Sequence, residues 1–228
     1  MKRTVDIIIS AHTTWLLAAV NIAVYFLIAF SIVSPIGLIV LSGDGQPFPA
    51  IVTYMFVHAS PLHLALNIVA LIFCGVWFQT HGNCISLLAI YFAAGVGGAM
   101  LFMALTSMAI TGPTVLVGSS AAICGVLGGA IVYSKEVRID LGFRKICLKA
   151  APLIIITAIV LTSGLISNNP GGAVAHIAGF VIGILISIPF TRINKRKSRL
   201  IVKAEQSGFA SLSQSEKIGL SIANSSAK

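Results

Sequence analysis

The chain has 228 residues, of which 57% are hydrophobic and only 9% charged, with a mean hydropathy of +1.00. A soluble domain carries about 25% charged residues, so this composition excludes an ordinary water-soluble globule and belongs in lipid. The formal charge of +9 does not indicate nucleic acid: no Lys or Arg lies between Arg3 and Lys135 or between Lys149 and Arg192, and basic residues confined to short segments act as topology signals.

Residues 1–13 are expected to be a short cytoplasmic N-terminus carrying Lys2 and Arg3. The apolar run 14–33 is long enough to span, and no small-residue cleavage site follows it, so it is expected as the first membrane helix rather than a signal peptide. The segment 34–49 holds Pro35, Gly37, Gly43, Asp44, Gly45, Pro47 and Pro49 and reads as a loop. Residues 50–59 are apolar and read as a partly buried loop or interfacial segment. The second span is expected over 61–78, with Pro61 suited to a first turn. The third is expected over 85–108, the fourth over 114–134, the fifth over 150–166 and the sixth over 173–190.

Between the fourth and fifth spans, residues 135–149 hold five basic and two acidic residues and read as a solvated loop. Residues 192–203 form a basic cluster, and 204–228 read as a polar tail without a fixed structure. The expected organisation is therefore a polytopic, all-α membrane domain of six transmembrane helices over 14–190, followed by a cytoplasmic tail over 191–228. With six spans every basic segment falls on one side, and the positive-inside rule places both termini in the cytoplasm. The cysteines Cys74, Cys84, Cys124 and Cys147 show no paired spacing. They read as small buried hydrophobes, not as disulfides or a metal site.

With this topology the polar residues acquire heights. At about 1.5 Å per residue, Ser120 lies about 22 Å above the cytoplasmic edge, and His63 and His176 about 24 Å above it. Asn67 lies one turn below His63. Three helices thus place a serine, two histidines and an amide in one layer of a hydrocarbon core about 30 Å thick. Polar groups in a span are costly and face the bundle interior. Ala121, Gly125 and Gly129 on the fourth span, and Ala175, Gly179 and Gly183 on the sixth, form small-residue faces that let two helix backbones approach closely. Such a contact would bring Ser120 and His176 within hydrogen-bond reach.

A serine hydroxyl needs a base to become a nucleophile, and His176 is the candidate. Between residues 7 and 135 the only acid is Asp44, in a loop, so a dyad is expected and a triad is not. Asn67, His63 and the backbone N–H of Ser120 are candidate oxyanion donors. A zinc site of His58, His63 and His176 lacks the acidic ligand and HExxH spacing of a zinc protease, so no metal and no cofactor is expected. A transporter reading fits less well, because the layer lies nearer the outer surface than the midplane.

These residues resemble those of the rhomboid intramembrane serine proteases. The run from His58 to Asn67 is similar to that family's second-helix His-xxxx-His-xxx-Asn signature. Gly118-Ser119-Ser120-Ala121 resembles its Gly-x-Ser-Gly motif, and Ala175-His176-Ile177-Ala178-Gly179-Phe180-Val181-Ile182-Gly183 its Ala-His-xx-Gly-xxx-Gly motif. The resemblance implies that Ser120 is the nucleophile and His176 its base. It further implies that His63, Asn67 and Gly118 stabilise the oxyanion or the substrate. The substrates would be single-span transmembrane proteins, cleaved within the bilayer of a bacterial inner membrane. The alternative is a catalytically silent rhomboid-like protein that binds transmembrane clients. The chain departs from the family pattern at Ala121 in place of the second glycine, at Pro49-Ala50 in place of Trp-Arg, at Gln79 in place of a glutamate, and at Cys124 in place of an aromatic.

Overall fold

The structure is a computed structural model, and it describes residues 11–41, 49–79, 82–108, 115–133, 136–140, 145–149, 170–208 and 211–217. The chain divides into two compact units, Met1–Ser187 and Ile188–Lys228.

In the first unit, helix α1 covers His12–Ala29 and strand β1 Val40–Leu41. A one-turn helix α2 (Ala50–Thr53) continues as a 3-10 turn over Tyr54–Phe56. Helix α3 covers Pro61–Gln79 and α4 Cys84–Ser107. Strand β2 (Val115–Leu116) leads into α5, Ser120–Tyr133. Strands β3 (Glu136–Asp140) and β4 (Lys145–Lys149) follow, and α6 covers Pro170–Ser207, passing from the first unit into the second.

Among the described residues, four stretches are long and apolar enough to cross a membrane: His12–Ala29, Pro61–Gln79, Cys84–Ser107 and Pro170–Ile193. Their outward faces are apolar. Leu62, Leu66 and Val69 on α3, and Ile177, Val181 and Leu185 on α6, are exposed at helical spacing, as lipid-facing stripes must be. The expected fifth span, 150–166, lies outside the described residues.

Helix α5 is the hub. Every residue from Ala121 to Ala130 is buried, the pattern of a helix enclosed on all sides. Its glycines and alanines make that enclosure possible. A side chain at Gly179 of α6 would strike the Ala121 carbonyl, and one at Gly183 the Gly125 carbonyl. The two small-residue faces therefore meet in the register expected from their spacing. On the other flank, a Cβ at Gly98 of α4 would lie 3.0 Å from both the Ala121 methyl and the Ala175 carbonyl oxygen. Ala121, the departure from the family glycine, thus has its methyl opposite a glycine.

Helix ends are fixed by local chemistry. Ser60 caps α3, its Oγ accepting from the N–H of His63 at 3.1 Å, with Pro61 in the first turn. Asn83 and Ser86 form a reciprocal capping box at the start of α4. Gln79 holds the end of α3 to the start of α1: its Oε1 accepts from Thr14 Oγ1 at 2.5 Å and from the Thr14 N–H at 3.3 Å. Gly75 leaves the room that Thr14 occupies.

Several expectations are corrected. The fourth span does not begin at residue 114: Val115 and Leu116 pair antiparallel with Leu41 and Val40, and the helix starts only at Ser120. The loop 34–49 is tied by that pairing to the approach of α5, and Thr53 Oγ1 donates to the Leu38 carbonyl at 3.0 Å. The charged segment 135–149 contains a two-stranded antiparallel sheet, with Glu136 opposite Lys149 and Asp140 opposite Lys145. The period-two alternation of charged and apolar residues in Glu136–Asp140 favours a strand, and Ile146, Cys147 and Leu148 are a short apolar run between two lysines. Cys74 and Cys124 are buried, but Cys84 is exposed at the start of α4.

In the second unit, the helix continues through the basic cluster to Ser207, so the tail is not shapeless from residue 204 onward. A Ser213–Glu216 capping box follows: the Ser213 N–H donates to Glu216 Oε2 at 2.8 Å and the Glu216 N–H to Ser213 Oγ at 3.3 Å. Lys203 pairs with Glu216 at 3.0 Å. The Ser213 N–H, then Lys203, hold the Glu216 carboxyl down to about 2.

Because the wall facing Gly179 is backbone, Gly179→Ala is expected to destabilise the domain by about 1–3 kcal/mol. Ile177→Ala, on the exposed face, should cost less than half as much. Denaturant titration in mixed micelles measures both, and equal losses would contradict the packing described.

Candidate active site

The chain enters α5 through a forced turn. Gly118 has φ +98°, a conformation side-chain-bearing residues rarely adopt. Its N–H donates to the Tyr54 carbonyl at 2.9 Å, and the Tyr54 hydroxyl donates to the Gly95 carbonyl at 2.7 Å. Tyr54 thereby ties the turn to α4. It is fully buried, and burial raises its phenol far above the ordinary value. Sequence reading gave Tyr54 no role. The available signal was a phenol within an apolar run, since a buried phenol needs a partner.

Ser120 is the first residue of α5 and is partly exposed. Its backbone N–H is among the first four of a helix, which have no partner within it, and the positive end of the helix dipole lies there. Ser119, its neighbour, is fully buried; its hydroxyl lies beside the Tyr91 phenol, outside normal hydrogen-bond geometry. Helix geometry thus separates two adjacent hydroxyls, one toward the core and one toward the site.

His176, on the second turn of α6, is 8% exposed. Its Nε2 lies 2.7 Å from Ser120 Oγ, within the range for proton transfer between a nucleophile and its base. The two residues are 56 positions apart. The backbone contact of α5 with α6 brings them together: Ala121, next to Ser120, packs on Gly179, one turn beyond Ala175 and His176.

His63 and Asn67 reach the same place from α3. A side chain at Gly118 would meet His63 Cε1 at 2.7 Å, His63 Nε2 at 2.8 Å and Asn67 Nδ2 at 3.5 Å. Both side chains therefore rest on the turn that precedes Ser120. Asn67 Nδ2 also donates to the His63 carbonyl at 3.1 Å, which uses one of its two amide hydrogens and orients the other. All five residues singled out from sequence, Ser120, His176, His63, Asn67 and Gly118, converge here. Gly118 does so through its backbone shape, with its N–H already engaged by Tyr54.

His58 flanks this cluster. Its ring meets that of His63 edge to face, with centroids 5.2 Å apart. Burial, then the neighbouring His63, push the His58 ring down to about 4, against a smaller opposing pull from the Phe56 carbonyl. Cys124, one turn below Ser120, is fully buried. Among the described residues, no group of three or more His, Cys, Asp or Glu side chains is arranged to hold a metal ion.

A serine hydroxyl thus meets a histidine ring at the head of a buried helix inside an apolar, membrane-type bundle. The Rhomboid domain profile matches residues 46–193. The chain is 30% identical over 166 residues to the Rhomboid protease AarA of Providencia stuartii, covering 66% of this chain and 57% of that one. It is 28% identical over 139 residues to RHOMBOID-like protein 4 of Arabidopsis thaliana, covering 58% of this chain and 31% of that one. The chain thus spans less than two thirds of either relative. It belongs to the rhomboid family and is a multi-pass membrane protein.

Gly118→Ala is expected to press a methyl into the His63 ring and strain the turn. The domain should stay folded while reactivity at Ser120 falls at least tenfold, about the penalty of a small misplacement; labelling by a fluorophosphonate probe measures it. His58 carries a pH signature. Its folded value lies below the ordinary 6.5, so between pH 6.5 and about 4 the unfolded chain takes up a proton that the folded chain does not. Its effect is to lower stability as pH falls through that window and to leave it unchanged above. His58→Phe should flatten this part of the stability–pH curve.

Proposed function

We propose that this chain is an active intramembrane serine endopeptidase, cutting the transmembrane segments of single-span membrane proteins with Ser120 as nucleophile and His176 as general base. The observation that carries the reading is the 2.7 Å contact between Ser120 Oγ and His176 Nε2. A merely packing serine and histidine have no need to meet at that distance inside a bundle. His63 and Asn67 support it by resting against the turn before Ser120.

The chemistry follows from those positions. As Ser120 Oγ attacks the scissile carbonyl carbon, its proton passes to His176 Nε2. The carbonyl oxygen becomes an oxyanion, held by the Ser120 N–H with the His63 ring and the Asn67 amide. The C–N bond then breaks and the departing amine takes the proton from His176, leaving an ester on Ser120. Water adds to that ester, giving its proton to His176, and release of the carboxyl product restores the hydroxyl.

Water access suits the length of α5. Its 14 residues rise about 21 Å, short of a hydrocarbon core of about 30 Å. A helix entering from the cytoplasmic side therefore ends below the outer surface, with Ser120 at its tip. The proposal includes six spans, with residues 150–166 as the fifth. It includes both termini in the cytoplasm, on the asymmetry of Lys and Arg, and a bacterial inner membrane.

The test is cleavage of a reconstituted single-span substrate. Wild type is expected to cut; Ser120→Ala and His176→Ala are expected to fall to background, and unchanged cleavage by either removes the dyad. Asn67→Ala should retain activity lowered by about 10²–10³. Absence of wild-type cleavage across several substrates would leave a client-binding rhomboid-like protein as the better account.

A further inference from the structure

His58 lies in the turn between the Tyr54–Phe56 segment and α3, five residues before His63. It is only 6% exposed. Its Nδ1 is 3.3 Å from the Phe56 carbonyl oxygen. A carbonyl only accepts, so the proton of the neutral ring sits on Nδ1, and Nε2 carries a lone pair. That Nε2 is buried without a hydrogen-bond partner among the described residues. A histidine used only as filler has no reason to bury a polar atom in this way, since an aromatic hydrocarbon would fill the space at lower cost.

The neighbour explains the choice. The His58 and His63 rings meet at an interplanar angle of 62°. The Cε1–Nε2 edge of His63 rests against Gly118. The His63 ring is thus held between His58 and the turn before Ser120. The Phe56 contact fixes how the His58 ring is rotated, and so which part of it His63 meets.

We propose that His58 is a positioning residue: its neutral ring, fixed by the Phe56 carbonyl, wedges His63 against the Gly118 turn and keeps a His63 N–H aimed at the point where the oxyanion forms. This rests on the reading of His63 as an oxyanion donor. His58 itself touches neither Ser120 nor His176 in this account, and acts only through His63. The low affinity of His58 for a proton is consistent with this, because a cation at that place would compete for the orientation of the His63 dipole.

Two measurements test it. The first does not depend on activity. In full-length protein with ¹⁵N-labelled histidine in nanodiscs, the His63 ring nitrogens, assigned by their loss in His63→Gln, should show one fixed tautomer in wild type. In His58→Phe, which fills the same space, they should move toward the averaged values of a mobile ring. An unchanged His63 tautomer pattern in that variant overturns the proposal. The second measurement is kinetic. His58→Phe is expected to lower kcat by roughly 10- to 100-fold with KM little changed, as for a donor slightly misplaced. The double variant His58→Phe/His63→Ala should be no slower than His63→Ala alone. Losses that multiply in the double variant mean that His58 acts independently of His63, and also overturn the proposal. A wild type that cleaves nothing counts against the protease reading alone, because the nitrogen spectra still decide whether His58 sets the His63 ring.

Discussion

The backbone contact between α5 and α6 is the constraint on which the site depends. Gly179 against the Ala121 carbonyl, and Gly183 against the Gly125 carbonyl, set the two helices closer than any larger residue would allow. In lipid there is little hydrophobic force between helices, so close van der Waals packing, weak Cα–H···O contacts and hydrogen bonds must hold them. The Ser120–His176 distance is a by-product of that approach. Gly98 of α4 completes the arrangement, because the residues beside both catalytic candidates, Ala121 and Ala175, pack on it. Three helices thus share one small-residue contact beside Ser120 and His176.

The other half of the site is organised around a turn rather than a helix pair. Gly118 has no side chain, so the His63 ring can lie against its backbone, and its left-handed conformation lets the chain change from strand β2 to helix α5 within three residues. Tyr54 holds that turn by its carbonyl and anchors itself by its hydroxyl. The pairing of Val40 with Leu116 ties the first loop to the same place. The Trp-Arg of related chains is absent here. Buried Ala50, Tyr54 and Met55, with the Thr53–Leu38 contact, anchor the loop instead. Likewise Gln79, in place of a glutamate, serves Thr14 as a neutral acceptor at a half-buried position.

Much of this was legible before any coordinates. Apolar runs gave α1, α3 and α4 to within a few residues at each end, because a membrane helix needs length and hydropathy more than any special residue. The spacing of Ala121, Gly125 and Gly129 against Ala175, Gly179 and Gly183 named the touching faces, since a helix repeats every 3.6 residues. Topology and rise per residue placed Ser120, His63 and His176 in one layer. Less legible were features whose cause is non-local. The run 114–134 is uniformly apolar, and only pairing with Val40 and Leu41 turns its first residues into a strand. Charge content hid the strands at 136–140 and 145–149, although the alternation in the first was visible.

The sequence by itself determined that the chain is a membrane protein, that its small-residue faces would bring a serine and a histidine together, and which family motifs it carries. These are one-dimensional properties: hydropathy, helical period and residue order. Only the tertiary structure set the 2.7 Å contact of Ser120 with His176 and turned the neighbouring Ser119 into the core. It alone revealed that Gly118 serves by its shape while its N–H is held by Tyr54, and that His58 stands behind His63. Those outcomes turn on ring placement, on a positive φ and on carbonyls contributed from distant parts of the chain, none of which a residue's own neighbours in sequence can specify.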